Sequence, residues 1–174
     1  SGQGGLFKED LVREMARHVK RPIIFPLSNP TSRSEATPSD LMQWTDGRAI
    51  IGTGSPFPNL TRNGKIMRVD QSNNAYIFPG ISLGILSVRA RRVTPSMFMA
   101  AAKALASCSP AKSDPTSNLL PPLSNIREVS FTIAMAVAEE AIKAGVAPSC
   151  SLESLEQKIR KNIWKPVYPS YEKC

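Results

Sequence analysis

Three short stretches of the sequence carry residue types that could hold a ligand. Asn29 directly follows the apolar run Pro22-Ile23-Ile24-Phe25-Pro26-Leu27 and precedes Pro30, which restricts the turn. Asn73 and Asn74 stand ahead of a second apolar run, Ile77-Phe78-Pro79-Gly80. A carboxamide donates and accepts hydrogen bonds without changing charge, so it can hold a carboxylate, a hydroxyl or a nicotinamide carboxamide in one orientation. The third stretch, Gly2-Gln3-Gly4-Gly5-Leu6-Phe7, opens a helix, and the backbone N–H groups of such a turn can face a phosphate. It is an incomplete dinucleotide fingerprint, because Phe7 stands where a third glycine would be. Taken alone, each stretch reads first as an ordinary turn, a setting that favours Asn and Gly.

No acid–base or metal set accompanies them. Glu35, Asp40, Asp46 and Asp70 fall in turns or near helix starts, where capping or surface solvation is the expected role. His18, the one histidine, lies late in the first helix with no nucleophile nearby. Cys108, Cys150 and Cys174 are far apart and form no C-x-x-C pair, so reduced thiols are expected rather than a zinc site. Trp44 and Tyr76 read as packing residues.

The elements that must position these residues follow from pattern. Phe7, Leu11, Met15 and Val19 recur every four residues, with Glu9 and Asp10 at the start, predicting a helix over Lys8–Val19. Pro22–Leu27 reads as a strand buried on both faces, which puts Ser28-Asn29-Pro30-Thr31 at its carboxyl edge, where open parallel sheets bind ligands. Thr37, Pro38 and Asp40 form a helix start, and Ala49–Gly52 is a second short strand. A turn at Asn63-Gly64 leads to a strand over Lys65–Val69, and a helix follows over Gly80–Arg91. Beyond it the chain reads as helical. Thr94-Pro95 starts a helix with an apolar face of Phe98, Ala101, Ala102 and Leu105. The segment Ser109–Pro122 is a loop, and Ser124 or Asn125 caps a central helix that Gly145 stops. Ser151 opens a last helix to Asn162, before an aromatic tail with Trp164, Tyr168 and Tyr171.

A chain of 174 residues that is 41 % hydrophobic and 21 % charged suits a folded domain rather than a disordered one. Its net charge of +8 invites a nucleic-acid reading, but Lys20-Arg21, Arg89 with Arg91-Arg92, and Lys158 to Lys165 are scattered and lack interleaved aromatics. A solvated basic surface, or one suited to an anionic cofactor or substrate, is expected instead. Ala75–Val88 is interrupted by Pro79, Gly80 and Gly84 and is too short to span a membrane. No signal peptide opens the chain, and its abrupt start reads as the interior of a longer cytoplasmic polypeptide, or one of an organelle matrix in a eukaryote.

Five motifs in order resemble the malic enzyme family. They are Ser1-Gly2-Gln3-Gly4-Gly5-Leu6-Phe7; Arg21 through Leu27 with Ser28-Asn29-Pro30-Thr31; Trp44-Thr45-Asp46-Gly47-Arg48-Ala49 with Gly54-Ser55-Pro56-Phe57; Asn73-Asn74-Ala75-Tyr76-Ile77-Phe78-Pro79-Gly80; and Pro121-Pro122-Leu123-Ser124-Asn125-Ile126-Arg127-Glu128-Val129-Ser130. The tail around Asn162-Ile163-Trp164 looks most like the bacterial NAD-linked branch. The resemblance implies an α/β fold: the second half of a Rossmann-type NAD(P)-binding domain over 1–92, with a helical C-terminal extension over 93–174. It implies oxidation of L-malate by NAD or NADP and metal-assisted decarboxylation to pyruvate, with Mg or Mn bound by residues outside this chain. It assigns Asn29, Asn73 and Asn74 to substrate, and Gly2, Gly4, Gly5 and Asn29 to the cofactor, with no catalytic acid–base residue and no metal ligand here. The implied partners are the N-terminal part of the parent enzyme and further copies of it, with neither nucleic acid nor membrane. A malolactic enzyme and a truncated, non-catalytic interaction module are the alternatives. The family often reads Gly-Gln-x-Asn-Asn where this chain has Asp70-Gln71-Ser72-Asn73-Asn74, and Pro58-Asn59 follows the Gly-Ser-Pro-Phe motif where an acidic or small residue is common.

Overall fold

The computed structural model describes residues 2–62 and 64–167. The chain forms two compact units, Ser1–Asn74 with Ala106–Leu123, and Ala75–Leu105 with Ser124–Cys174. The chain thus leaves unit 1 after Asn74, whereas the sequence reading divides it at 92/93. The helix that begins just beyond Asn74 packs with the later helices and is drawn into their unit.

Unit 1 is built on a parallel sheet. Strands β1 (Ile23–Ile24), β2 (Ile50–Thr53) and β5 (Asp70–Gln71) lie in the order β1-β2-β5, with Ile23 opposite Ile50 and Gly52 opposite Asp70. β1 is shorter than the run Pro22–Leu27, and burial alternates instead of covering both faces. Pro22, Ile24 and Pro26 are buried, while Ile23 and Leu27 are more than half exposed. The two prolines lack the N–H a ladder needs, which confines pairing to the residues between them.

Helix α1 (Glu9–His18) opens on Glu9 and Asp10 and closes on Arg17 and His18, charges that complement its dipole. It buries Val12 and Ala16, whereas Leu11, Met15 and Val19 of the expected face are exposed and only Phe7 is partly buried against the core. Two neighbouring rows of this helix are apolar, and tertiary ties select between them. Arg48 donates from Nη1 to the carbonyls of Ala16, Val19 and Lys20, and Arg13 reaches the carbonyl of Trp44. Helix α2 (Pro38–Trp44) is capped as expected. Thr37 Oγ1 accepts the Asp40 N–H at 3.2 Å and donates to the Asp40 carboxylate at 2.7 Å. Leu41 and Met42 from α2 join Val12, Ile24, Ala36 and Ala49 in the core, with Trp44 packed at its side. Between β2 and β5 an antiparallel hairpin replaces a crossover helix. It pairs β3 (Leu60–Arg62) with β4 (Lys65–Met67), and Gly64 takes a positive φ in the turn; Asn63 lies outside the described residues.

Unit 2 is helical. Helix α3 (Phe78–Val88) lies against α5 (Ile126–Lys143), and α6 (Leu152–Asn162) packs on both. Gly80 and Gly84 set the approach of α3 to α5. A Cβ at Gly80 would stand 2.6 Å from Ile133 Cβ, and one at Gly84 2.6 Å from the Ala134 carbonyl oxygen. α5 buries Val129, Ile133, Ala134, Val137, Ala138 and Ala141, which makes it the central element the sequence predicts. Asn125 takes its N-cap position without a side-chain capping bond, and Ser151 caps α6 by accepting the Ser154 N–H. Helix α4 (Pro95–Ser107) buries Met97, Ala101 and Ala104, so its inward face is turned from the expected one and Phe98 is exposed. Trp164 is exposed, and Tyr168 and Tyr171 lie outside the described residues. Among the described residues no helix is long and apolar enough to cross a membrane.

Candidate functional site

The three parallel strands of unit 1 end on one edge of the sheet, and each is followed by a turn bearing polar side chains. After β1 come Ser28 and Asn29, after β2 Gly54 and Ser55, and after β5 Ser72, Asn73 and Asn74. In an open parallel sheet this edge is where ligands bind.

Hydrogen bonds lace the turns together. Ser55, buried, donates from Oγ to Asn29 Oδ1 and lies 3.3 Å from the Ser28 carbonyl. Gly54 donates its N–H to the Pro26 carbonyl, and its Cα passes so close to Leu27 that a Cβ would overlap the Leu27 carbonyl oxygen. Gln71 Nε2 donates to the Gly54 carbonyl at 3.2 Å, and the Ser72 N–H to Thr53 at 2.7 Å. Asn29 is thereby fixed from behind while its residue stays exposed; the Asn29–Pro30 peptide is cis. Asn73 and Asn74 are exposed at the end of the β5 turn.

The glycine turn joins the same edge through Ser28. The Gly2 N–H donates to Ser28 Oγ at 3.1 Å, and the Gly5 N–H donates to the Ser34 carbonyl at 3.1 Å. Gly4 passes close to the backbone of Ser32, where a Cβ would meet the carbonyl oxygen at 2.8 Å. Ser28 Oγ in turn donates to Glu35 Oε1, and the Ser28 N–H donates to Glu35 Oε2 at 3.2 Å. Burial pushes the Glu35 carboxyl up, but the hydrogen bonds from Ser28 and the backbone outweigh it and hold the group below the ordinary carboxylate range.

Two carboxylates therefore stand corrected. Glu35 and Asp70 are 7 % and 4 % exposed, not solvated surface groups or caps. Asp70 receives four donors: Arg68 Nη2, Asn118 Nδ2 and the N–H groups of Leu119 and Leu120. Two other acidic residues agree with the sequence: Asp40 completes the capping of α2 by accepting from Thr37 Oγ1, and Asp46 is exposed at a positive φ. His18 is exposed at the end of α1 and pairs with Glu14 at 3.1 Å. The structure thus brings Gly2, Ser28, Asn29, Glu35 and Ser55 together and ties the Asn73-Asn74 turn to them through Gln71 and Gly54. Sequence reasoning missed Ser28, Glu35, Ser55 and Gln71 as members. Ser28 and Ser55 stand inside the motifs, but spacing carries no sign that Ser55 bonds to Asn29, 26 residues before it. Among the described residues no three His, Cys, Asp or Glu side chains are grouped to hold a metal ion. The arrangement can orient and hydrogen-bond a ligand.

The family model "Malic enzyme, NAD binding domain" matches residues 1–142. The chain is 51 % identical to the NAD-dependent malic enzyme of Aliivibrio fischeri and 52 % identical to that of Acinetobacter baylyi, over 99 % of its own length in each case. It spans about 31 % of the length of these relatives. Among solved structures it resembles the malic enzyme of Pyrococcus horikoshii, with a TM-score of 0.69 and 34 % identity over 91 % of this chain and 32 % of that one. The malic enzyme of Entamoeba histolytica matches with a TM-score of 0.71 and 28 % identity over 90 % of this chain and 30 % of that one.

Proposed function

This chain belongs to the malic enzyme family, in its NAD-binding domain, and from that premise we propose that it forms the ligand-orienting part of a longer enzyme that oxidises and decarboxylates L-malate to pyruvate and carbon dioxide. The observation that carries the reading is the hydrogen bond from Ser55 Oγ to Asn29 Oδ1 at the carboxyl edge of the sheet. It takes up the acceptor end of the carboxamide and leaves Nδ2 as the donor, the group that suits a carboxylate, a 2-oxygen or a nicotinamide carbonyl.

Asn29, with Asn73 and Asn74, would hold malate. Gly2, Gly4, Gly5 and Asn29 would line the cofactor cleft. The fit rests on space: a Cβ at Gly2 or Gly5 would meet nothing within 4 Å, so the turn offers room to a cofactor. The N–H groups of these two glycines are given to Ser28 Oγ and the Ser34 carbonyl rather than left to face a phosphate. NAD, when bound, supplies the hydride acceptor; the names of the relatives favour it over NADP. Asn29 fixes the reacting carbon by binding the groups attached to it, a contribution of position rather than of proton transfer. The described residues do not fit Mg or Mn, so the metal and the acid–base residues would belong to the rest of the enzyme, which the family reading also assembles into a homo-oligomer.

The test is product analysis with the full-length protein, malate, NAD and Mg or Mn. Pyruvate with stoichiometric NADH is the expected result. Lactate without net NADH would overturn the reading in favour of a malolactic enzyme, and no malate consumption would favour a non-catalytic module.

A further inference from the structure

Asp70 is a buried carboxylate that takes no part in the site just described, yet it is among the most heavily hydrogen-bonded side chains of unit 1. Its Oδ1 accepts from Arg68 Nη2 at 2.8 Å and Asn118 Nδ2 at 2.9 Å; its Oδ2 accepts from the N–H groups of Leu119 at 2.8 Å and Leu120 at 3.1 Å. Arg68 and Asn118 reinforce the junction, because Arg68 Nη2 also reaches the Leu120 carbonyl and Asn118 Nδ2 the Arg68 carbonyl. A segment some fifty residues further along the chain is thus fastened to the strand that runs into the Asn73-Asn74 turn. On the other side of that strand the Asp70 carbonyl lies 3.3 Å from Thr53 Oγ1, and Gln71 bonds to Gly54. β5 is therefore held from two sides, by β2 and by the 118–120 segment.

An ionised carboxylate at 4 % exposure is costly unless its lone pairs are filled, and a carboxylate can take all four donors where a carboxamide cannot. We infer that Asp70 is a positioning residue: its carboxylate locks the 118–120 segment to β5 and thereby sets where Asn73 and Asn74 stand against the substrate. The inference rests on the proposed malate reaction for its functional consequence, but the lock itself is independent of that reaction. Removing the carboxylate leaves the Leu119 and Leu120 N–H groups without their acceptor and takes from Arg68 Nη2 and Asn118 Nδ2 one of the two acceptors each has. The segment therefore loosens from the strand and the turn beyond loses support.

Asp70→Ala and Asn118→Ala in the full-length enzyme break the lock from opposite sides. Asp70→Ala should raise the malate KM about tenfold while the NAD KM stays within about twofold, and Asn118→Ala should move it in the same sense by less. Ile159→Val, a core change in α6, serves as a control that lowers the melting temperature without moving the malate KM. Hydrogen exchange of the same proteins reads the lock without any activity. In Asp70→Ala, peptides covering 118–120 and 72–74 should lose protection together. A malate KM that follows melting temperature alike in Asp70→Ala and Ile159→Val would overturn the inference, as would exposure of 118–120 with 72–74 unchanged. If the wild-type protein turns over no malate, the functional reading fails instead, and joint loss of protection still upholds the lock.

Discussion

Unit 1 and unit 2 each have an interior of a different kind. Among the described residues, every buried polar or charged side chain except Ser87 lies in unit 1: Ser34, Glu35, Thr45, Thr53, Ser55 and Asp70. Unit 2 buries an aliphatic seam in which Ile133, Ala134, Val137, Ala138 and Ala141 of α5 are closed off completely. Burial is non-directional, so it fixes helices without saying where a particular oxygen points. Hydrogen bonds contribute little net stability each, but they set orientation, and unit 1 places them at the strand ends where orientation matters for a ligand. The unit bearing the candidate site is the one that adds buried directional contacts to its apolar core.

The sharpest test of this contrast is in unit 2. Ile133→Ala removes a fully buried side chain that packs against Gly80 and should cost about 2–5 kcal/mol, read by urea denaturation of the full-length protein. A loss under about 1 kcal/mol would mean that apolar packing is not what secures α5. Asn29→Ala is the counterpart in unit 1. Malate kcat/KM should fall about a hundredfold, equivalent to about 2.7 kcal/mol, with the melting temperature unmoved. Unchanged kinetics would remove Asn29 from the site.

The smallest effect concerns acid. Glu35 and Asp114 are both held below the ordinary carboxylate range. In Glu35 the hydrogen bonds from Ser28 overcome burial, and in Asp114 those from Thr116 and Ser117 dominate. A depressed folded-state value stabilises the protein above the unfolded value and is lost as pH falls through the folded one. Stability should therefore decline on acidification below the ordinary carboxylate range, and Glu35→Gln should flatten that decline while leaving the alkaline side alone. An acid limb as steep as in the wild type would show that the Ser28–Glu35 link contributes nothing.

Local signals were legible wherever the cause was local. Thr37 and Ser151 capped the helices they were expected to cap, because a cap bonds to an N–H within the next turn. Gly145 stopped α5 by taking a left-handed φ. The inward rows of α1 and α4 are not legible in the sequence because each helix carries apolar residues on adjacent rows; at α1 the end of the helix is held by Arg48, far along the chain. Asn29, Asn73 and Asn74 stood out beside apolar runs. Glu35 and Asp70 did not, since nothing near them in sequence announces the donors that bury them. The departure from Gly-Gln to Asp70-Gln71 acquires a physical account only once Asn118, Leu119 and Leu120 are seen around the carboxylate.

The Asp70 junction also has a temporal side. Synthesis proceeds from the N-terminus, so when position 70 is made its backbone donors at 119 and 120 do not yet exist; at ~5–20 residues per second they follow roughly 3–10 s later. Until then the carboxylate keeps its water, and β5 lacks the segment that seals it. Unit 1 is thus completed by a stretch of chain made after α3 and most of α4, and a nascent chain arrested ahead of residue 118 would carry the sheet without its fastening.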